Sequence, residues 1–172
     1  MLNLLFSPSG RINSSQFMSG AYVLIAITFL INLLPMVSPA LGGLFKLFLI
    51  LVAYCWVALF IKRYHDGGKS GWMTFIPILI FIVLYFILSS MIPRMFGGEI
   101  FTNMETALNE ILLEGGGLAD LMAVSQEFGA PLAKKIALPS SVIFALASFA
   151  IAFLFNSMIK RDPDDNPFGP AS

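Results

Sequence analysis

Histidine and cysteine occur once each in these 172 residues, as His65 and Cys55, and charged residues make up only 12% of the chain. A single cysteine excludes an intrachain disulfide and any cysteine-rich metal site. A single histidine excludes the usual zinc ligand sets and leaves little support for a nucleophile–base–orienter triad. Soluble domains carry about 25% charged residues, so a chain this poor in charge cannot cover its apolar surface with polar groups. Acidic and basic residues balance at ten each, which removes the basic excess that nucleic acid would attract. No repeat of useful period and no low-complexity segment is present. The longest gap in charge lies between Ile12 and Phe45.

What is abundant is apolar: 58% of residues are hydrophobic. A membrane-crossing helix needs roughly 20 such residues at 1.5 Å rise. Four runs qualify, and the spans are expected at about residues 17–36, 44–61, 72–92 and 136–159. The fold class is therefore all-α, an integral membrane four-helix bundle. A cleaved leader is the competing reading of the first run, because Ser38-Pro39-Ala40 loosely resembles a cleavage site. That run exceeds the usual 7–15-residue apolar core and lacks a strongly basic start, so a retained span is expected.

Local signals set the boundaries. Asn13 followed by Gln16 resembles a capping box for span one. Before it, Leu2, Leu4, Leu5 and Phe6 are too few to span and are expected in the interface, with Arg11 facing lipid phosphates. Pro35, Pro39, Gly42 and Gly43 break the chain into a short hairpin. Lys46 sits near a helix end, where its stem can carry the ammonium to water. Pro77 falls in the first turns of span three, where missing donors cost least. In span four, Ser141, Ala145, Ser148 and Ala152 form a stripe of small residues, the usual mark of close helix packing in lipid.

Between spans three and four lies the one sizeable soluble piece, residues 93–131. Thr102 and Glu105 suggest a capping box, with Phe101, Met104, Leu108, Ile111 and Leu112 at helical spacing after it. Gly115-Gly116-Gly117 should end that helix. A second short helix is expected to carry Leu118, Leu121, Met122 and Phe128 and to end at Gly129 and Pro131. This helical pair should lie on the outer surface, against the bundle or the lipid interface, with an acidic solvated face or a partner-binding lobe as its meaning. Basic residues orient the chain. With both termini cytoplasmic, Arg11, Lys62, Arg63, Lys69, Lys160 and Arg161 lie inside; Arg94, Lys134 and Lys135 lie outside, with Lys46 at the boundary, which fits the positive-inside rule.

The chain is organised around Lys62 to Trp72, KRYHDGGKSGW, a polar turn between two apolar runs. The candidate interaction residues are Arg63, His65, Asp66, Lys69, Ser70 and Trp72. Gly68-Lys69-Ser70 looks like the end of a phosphate-binding loop, but Arg63 stands where its first glycine should be and no strand precedes it. His65 beside Asp66 could handle a proton, since a lone histidine titrates near neutral pH. The plainer reading is structural: Arg63 and Lys69 bind headgroup phosphates or cap carbonyls of span two, and Ser70 caps span three. The tail, residues 160–172, is too rich in proline for a helix. Phe168 in Asn166-Pro167-Phe168-Gly169 would have little use in a free tail. The tail is expected to fold back onto the turn, with Phe168 near Trp72 and a tail aspartate on Arg63 or Lys69.

Arg63, His65, Asp66, Gly68, Ser70, Gly71 and Trp72 resemble the R-x-H-D-x-G-x-S-G-W signature of a bacterial inner-membrane family, domain-of-unknown-function family eight-zero-five of the YhaH type. Ser9-Gly10-Arg11 with Phe17 is similar to that family's N-terminal motif, although Ser14 and Ser15 stand where its second basic residue would be. Asn166 through Pro170 is similar to its C-terminal ending. The resemblance brackets nearly the whole chain and implies a small multi-span inner-membrane protein with no assigned activity. Enzyme activity, a cofactor, a bound metal and a nucleic-acid partner are not expected. Membrane lipids are, with a protein partner or a second copy of the chain. The function expected is a membrane scaffold or partner-binding module, and the alternative is a small oligomeric transporter or channel. The latter would usually place ionisable groups mid-span, and no acid sits there.

Overall fold

Long apolar runs can satisfy their backbone in lipid only as helices, and helices are what they form. The computed structural model describes residues 2–170; Met1 and the last two residues of the expected 160–172 tail lie outside the described set. The elements are α1 (Leu2–Phe6), α2 (Ser14–Val37), α3 (Pro39–Phe45), α4 (Phe48–Asp66), a one-turn 3-10 helix (Gly71–Thr74), α5 (Phe75–Phe96), α6 (Glu99–Leu113) and α7 (Leu118–Met158). The architecture is all-α. Four segments, Ser14–Val37, Pro39–Asp66, Gly71–Phe96 and Leu118–Met158, are long and apolar enough to cross a membrane. They run up and down, so the start of α2, the ends of α4 and α7 and the start of α5 share one end of the bundle. That end is called the near end below, and the opposite one the far end.

The Asn13–Gln16 capping box opens α2 as expected, with Asn13 Oδ1 accepting from the Gln16 amide at 2.9 Å and Gln16 Oε1 from the Asn13 amide at 3.1 Å. Pro35 does not break α2, which continues to Val37. Ser38 then ends α2 and caps α3. Gly42 allows this tight reversal, because a Cβ there would lie 2.6 Å from Pro35 Cγ.

Three boundaries differ from expectation. Span two does not end at residue 61: α4 carries Lys62 to Asp66 as its last turn, because buried partners take up their charges. Thr102 is not a cap. Helix α6 starts three residues earlier, after Gly98, and the Thr102 hydroxyl donates back to the Gly98 carbonyl at 3.3 Å. The second loop helix does not stop at Gly129 or Pro131; it runs without interruption into span four as the 41-residue α7. Prolines are tolerated there because each frees only the carbonyl four residues back. Those carbonyls belong to Glu127 and Lys135, both exposed, where water can reach them. At 1.5 Å per residue α7 is ~60 Å long, about twice the hydrocarbon core, so its first half extends beyond the bundle with α6 beside it. In α6 the stripe Phe101, Met104, Leu108 and Ile111 is half-buried as expected, but Leu112 is 68% exposed.

The core sits toward the near end. Phe17, Ala21 and Leu24 of α2, Leu59 and Phe60 of α4, and Ala152 and Phe155 of α7 form one buried cluster. The α2–α7 pair is the most extensive helix contact. The small stripe of α7 is only partly an interface. Ser141 and Ala152 are buried, but Ser148 lines a cavity. Ala152→Phe should therefore lower stability in detergent by about 1–3 kcal/mol, the usual cost of overpacking. Leu154→Phe, on the 54%-exposed face, should change it little. Equal shifts in detergent melting temperature for both variants would contradict this packing.

Candidate functional site

The last turn of α4 carries the chain's densest polar sequence and buries most of it. Lys62, Arg63 and Asp66 are 2%, 3% and 0% exposed. Buried charges persist only when paired and hydrogen-bonded, and each partner can be named. Asp66 Oδ2 accepts from Arg63 Nη1 at 2.8 Å, and Asp66 Oδ1 lies 3.6 Å from Arg11 Nη2. The rest of the Arg63 fork reaches α7: Nε donates to Asn156 Oδ1 at 2.6 Å, and Nη2 to the Asn156 and Ile159 carbonyls. Asn156 in turn donates to Ser14 Oγ at 2.8 Å. One guanidinium thus ties the end of α4 to the end of α7, and through Asn156 to the start of α2. It caps carbonyls, as expected, but those of span four rather than span two.

Arg11 does not face phosphates. Its side chain is 1% exposed. It donates to the backbone carbonyls of Asp162 at 2.5 Å, Asp164 at 2.7 Å, and Asp66 and Gly169 at 3.3 Å. The tail needs such a donor because it has no helix to satisfy its own carbonyls. Lys62 performs the same service for the N-terminus, its ammonium donating to the Asn3 carbonyl at 2.9 Å and to the Leu4 carbonyl. The segments around Asn3 and Leu4 and around Asp162 to Gly169 are therefore both held by cations bonded to backbone.

The tail docks on the turn, by contacts partly different from those expected. Phe168 stacks on His65 with ring centroids 3.9 Å apart and planes 2° from parallel, rather than packing on Trp72. Trp72 is 77% exposed and stacks on Phe75. Arg63 takes Asp66, not a tail aspartate, and the grip on the tail is Arg11's. Asn166 closes the tail's own turn: its Oδ1 accepts from the Phe168 amide at 3.0 Å, and its backbone pairs with Gly169. The Asn166 amide side chain also donates to the His65 carbonyl at 3.0 Å and to Asp162 Oδ2 at 3.1 Å. The bond from Asn166, then one from the Asp164 amide, hold the Asp162 carboxyl below its ordinary range. Gly67 lets the turn meet the tail, since a Cβ there would lie 2.7 Å from Ile159 Cγ2, and Gly68 takes a left-handed φ of +65°. Ser70 caps the 3-10 helix by accepting from the Trp72 amide at 3.4 Å, and Lys69 is exposed with its amide bonded to the Tyr64 carbonyl.

The structure brings Arg63, His65, Asp66 and Phe168 together and leaves Lys69, Ser70 and Trp72 at the rim. His65 and Asp66 do not act as a pair. Successive helical residues point ~100° apart: His65 faces Phe168 and the Gly10 carbonyl, which its Nδ1 meets at 3.2 Å, and Asp66 faces the arginines. Among the described residues no group of three or more His, Cys, Asp or Glu could hold a metal ion. Arg11, Lys62, Asn156 and Asn166 complete the site. Of these, Asn156 carried a signal, as an amide one turn from the end of an apolar span.

A family model described as a protein of unknown function (DUF805) matches residues 5–170. No curated protein and no solved structure matches significantly.

Two outcomes test this arrangement. Asp66→Asn leaves two buried guanidiniums without their carboxylate, so stability in detergent should fall by about 3–5 kcal/mol; an unchanged melting temperature would refute the cluster. Phe168→Ala should release the tail without unfolding the bundle, since such a stack contributes about 0.5–1.5 kcal/mol beyond its buried area. Hydrogen exchange should then speed up over residues 160–169 and stay slow in α2. Acid should act in the same direction. The Asp162 pKa is lowered by the folded tail, first by the Asn166 side chain, then by the Asp164 amide and last by Arg11, so its contribution is full above the ordinary carboxylate range and lost as pH falls through the lowered value. Equal exchange in both proteins at every pH would contradict a docked tail.

Proposed function

We propose, from the premise that the chain belongs to the DUF805 family, that it is a non-catalytic scaffold or partner-binding module of the bacterial inner membrane with both termini cytoplasmic. The single observation carrying this reading is where the buried charges are. Arg11, Lys62, Arg63 and Asp66 all lie at the near end, and each bonds backbone, another charge or both. Groups engaged in that way hold a shape. Coupled transport calls instead for ionisable groups along a path through the membrane.

The surface offered to a partner is the far-end hairpin of α6 and the first half of α7. Leu112, Leu113, Leu118 and Met122, at and around its tip, are 56–88% exposed. Clustered exposed apolar residues outside the spans mark interaction sites more often than scattered ones do. The partner is a protein or a second copy of the chain. The alternative is a small oligomeric transporter, which the cavity among the four spans favours.

Cysteine labelling and ion flux separate these readings. The native thiol Cys55 is buried and should stay silent. Membrane-impermeant reagent should reach Ser125→Cys from outside the cell and fail to reach Lys160→Cys; the opposite pattern would invert the topology. In sealed vesicles the protein should raise ion flux no further than empty vesicles do. Flux that follows protein concentration would establish the transporter instead.

A further inference from the structure

The four spans enclose a space that the near-end cluster does not use. A cavity of about 760 Å³ lies between α2, α4, α5 and α7. Along α5 its walls run from Pro77 to Pro93, a length of ~24 Å at 1.5 Å per residue. Spread over that length, 760 Å³ makes a long, slender slot rather than a rounded pocket. An extended hydrocarbon chain suits such a slot, since carbon atoms in contact sit about 3.5–4.0 Å apart.

The lining changes character from one end to the other. Toward the near end it is Trp56, Val57, Phe60, Ile78, Phe81 and Ile151. Toward the far end it includes Asn32, Lys46, Ser89 and Ser140. Lys46 is the only cation among the lining residues. Neither Asn32 nor Ser140 makes a side-chain hydrogen bond among the described residues. An unpartnered amide in an apolar span is costly unless something meets it. Access is lateral. Helix α5 rests on α7 and the 3-10 helix rather than on α4, and only 11% of its apolar stretch is buried, against 22–28% in the other spans.

We propose that this slot binds a long-chain fatty acid, with its carboxylate at Lys46 and Asn32 and its chain directed toward Phe60. The polar far end supplies a cation and an amide donor, which together suit a carboxylate. The apolar near end takes methylenes.

The test uses Trp56, which lines the slot, as its own reporter. The full-length protein in phosphatidylcholine nanodiscs is titrated with dibromostearic acid, whose bromines quench indole fluorescence on contact. A saturable component of the quenching should appear above the linear background from exposed Trp72, vanish in Trp56→Phe, and be reversed by stearic acid at lower concentration than by stearyl alcohol. Lys46→Glu changes an exposed side chain, so the protein should fold normally. The variant should weaken the acid at least about fivefold, charge reversal exceeding the loss of one exposed pair, and leave the alcohol unchanged. Ser148→Phe, which projects into the slot, should remove the saturable component without lowering the melting temperature. Quenching that only tracks the mole fraction of probe would mean ordinary lipid contact and would overturn the proposal. So would equal binding of acid and alcohol, indifference to Lys46→Glu or Ser148→Phe, or no quenching of Trp56.

Discussion

One carboxylate holds the near end together. Asp66 is 0% exposed and lies between Arg63 at 2.8 Å and Arg11 at 3.6 Å. Removing water from three charges is costly, and the cluster is tolerable only because almost every remaining donor finds an acceptor. Those acceptors are backbone carbonyls that no helix could satisfy: the last of α7, the last of α4 and three from the tail. Helix ends leave four carbonyls each without partners. Here two guanidiniums collect them, so the charge cluster and the helix ends resolve each other's deficit. Arginine suits the task because its planar fork presents five donors in fixed directions.

Position explains why such a cluster can exist in this chain. At the middle of a bilayer a charged side chain costs about 2.5–3.5 kcal/mol on insertion scales. The end of α4 is also the end of its apolar stretch, where a charge costs less than at the middle. The N-terminal segment and the tail cover the cluster. Helix α1 packs on α4 under the hold of Lys62, and the tail lies over the turn under the hold of Arg11 and the His65–Phe168 stack. The signature residues then have separate duties. Arg63 and Asp66 form the cluster, Gly68 makes the left-handed turn, Ser70 caps, and Gly71 lies against Ile61 and His65, where a Cβ would lie 3.0 Å from Ile61 Cγ2 and 3.3 Å from His65 Nε2.

The spans and the docked tail were legible in the sequence because hydropathy and a lone aromatic in a proline-rich tail are one-dimensional signals. The Asn13–Gln16 box was legible for the same reason: its two partners are three residues apart. What failed depended on distance in space. Arg11 and Asp162 are 151 residues apart, and nothing local distinguishes an arginine facing phosphate from one facing carbonyls. Gly129 and Pro131 read as a stop because local propensity disfavours helix there, but tertiary contacts carried α7 through. Thr102 and Glu105 had the right spacing for a cap and sat inside a helix that Gly98 had already begun.

The two ends of the bundle follow opposite rules. At the near end Lys62, Arg63 and most of the Arg11 donors are matched within the chain. At the far end Lys46 is exposed, Asn32 and Ser140 have no internal partner, and α5 leans away from α4. Rigidity and openness are linked here through α7, which carries the buried Asn156 and Ala152 at one end and cavity-lining Ser140 and Phe144 nearer the other. A helix anchored by Arg63 cannot slide to close the slot without breaking buried hydrogen bonds at Asn156.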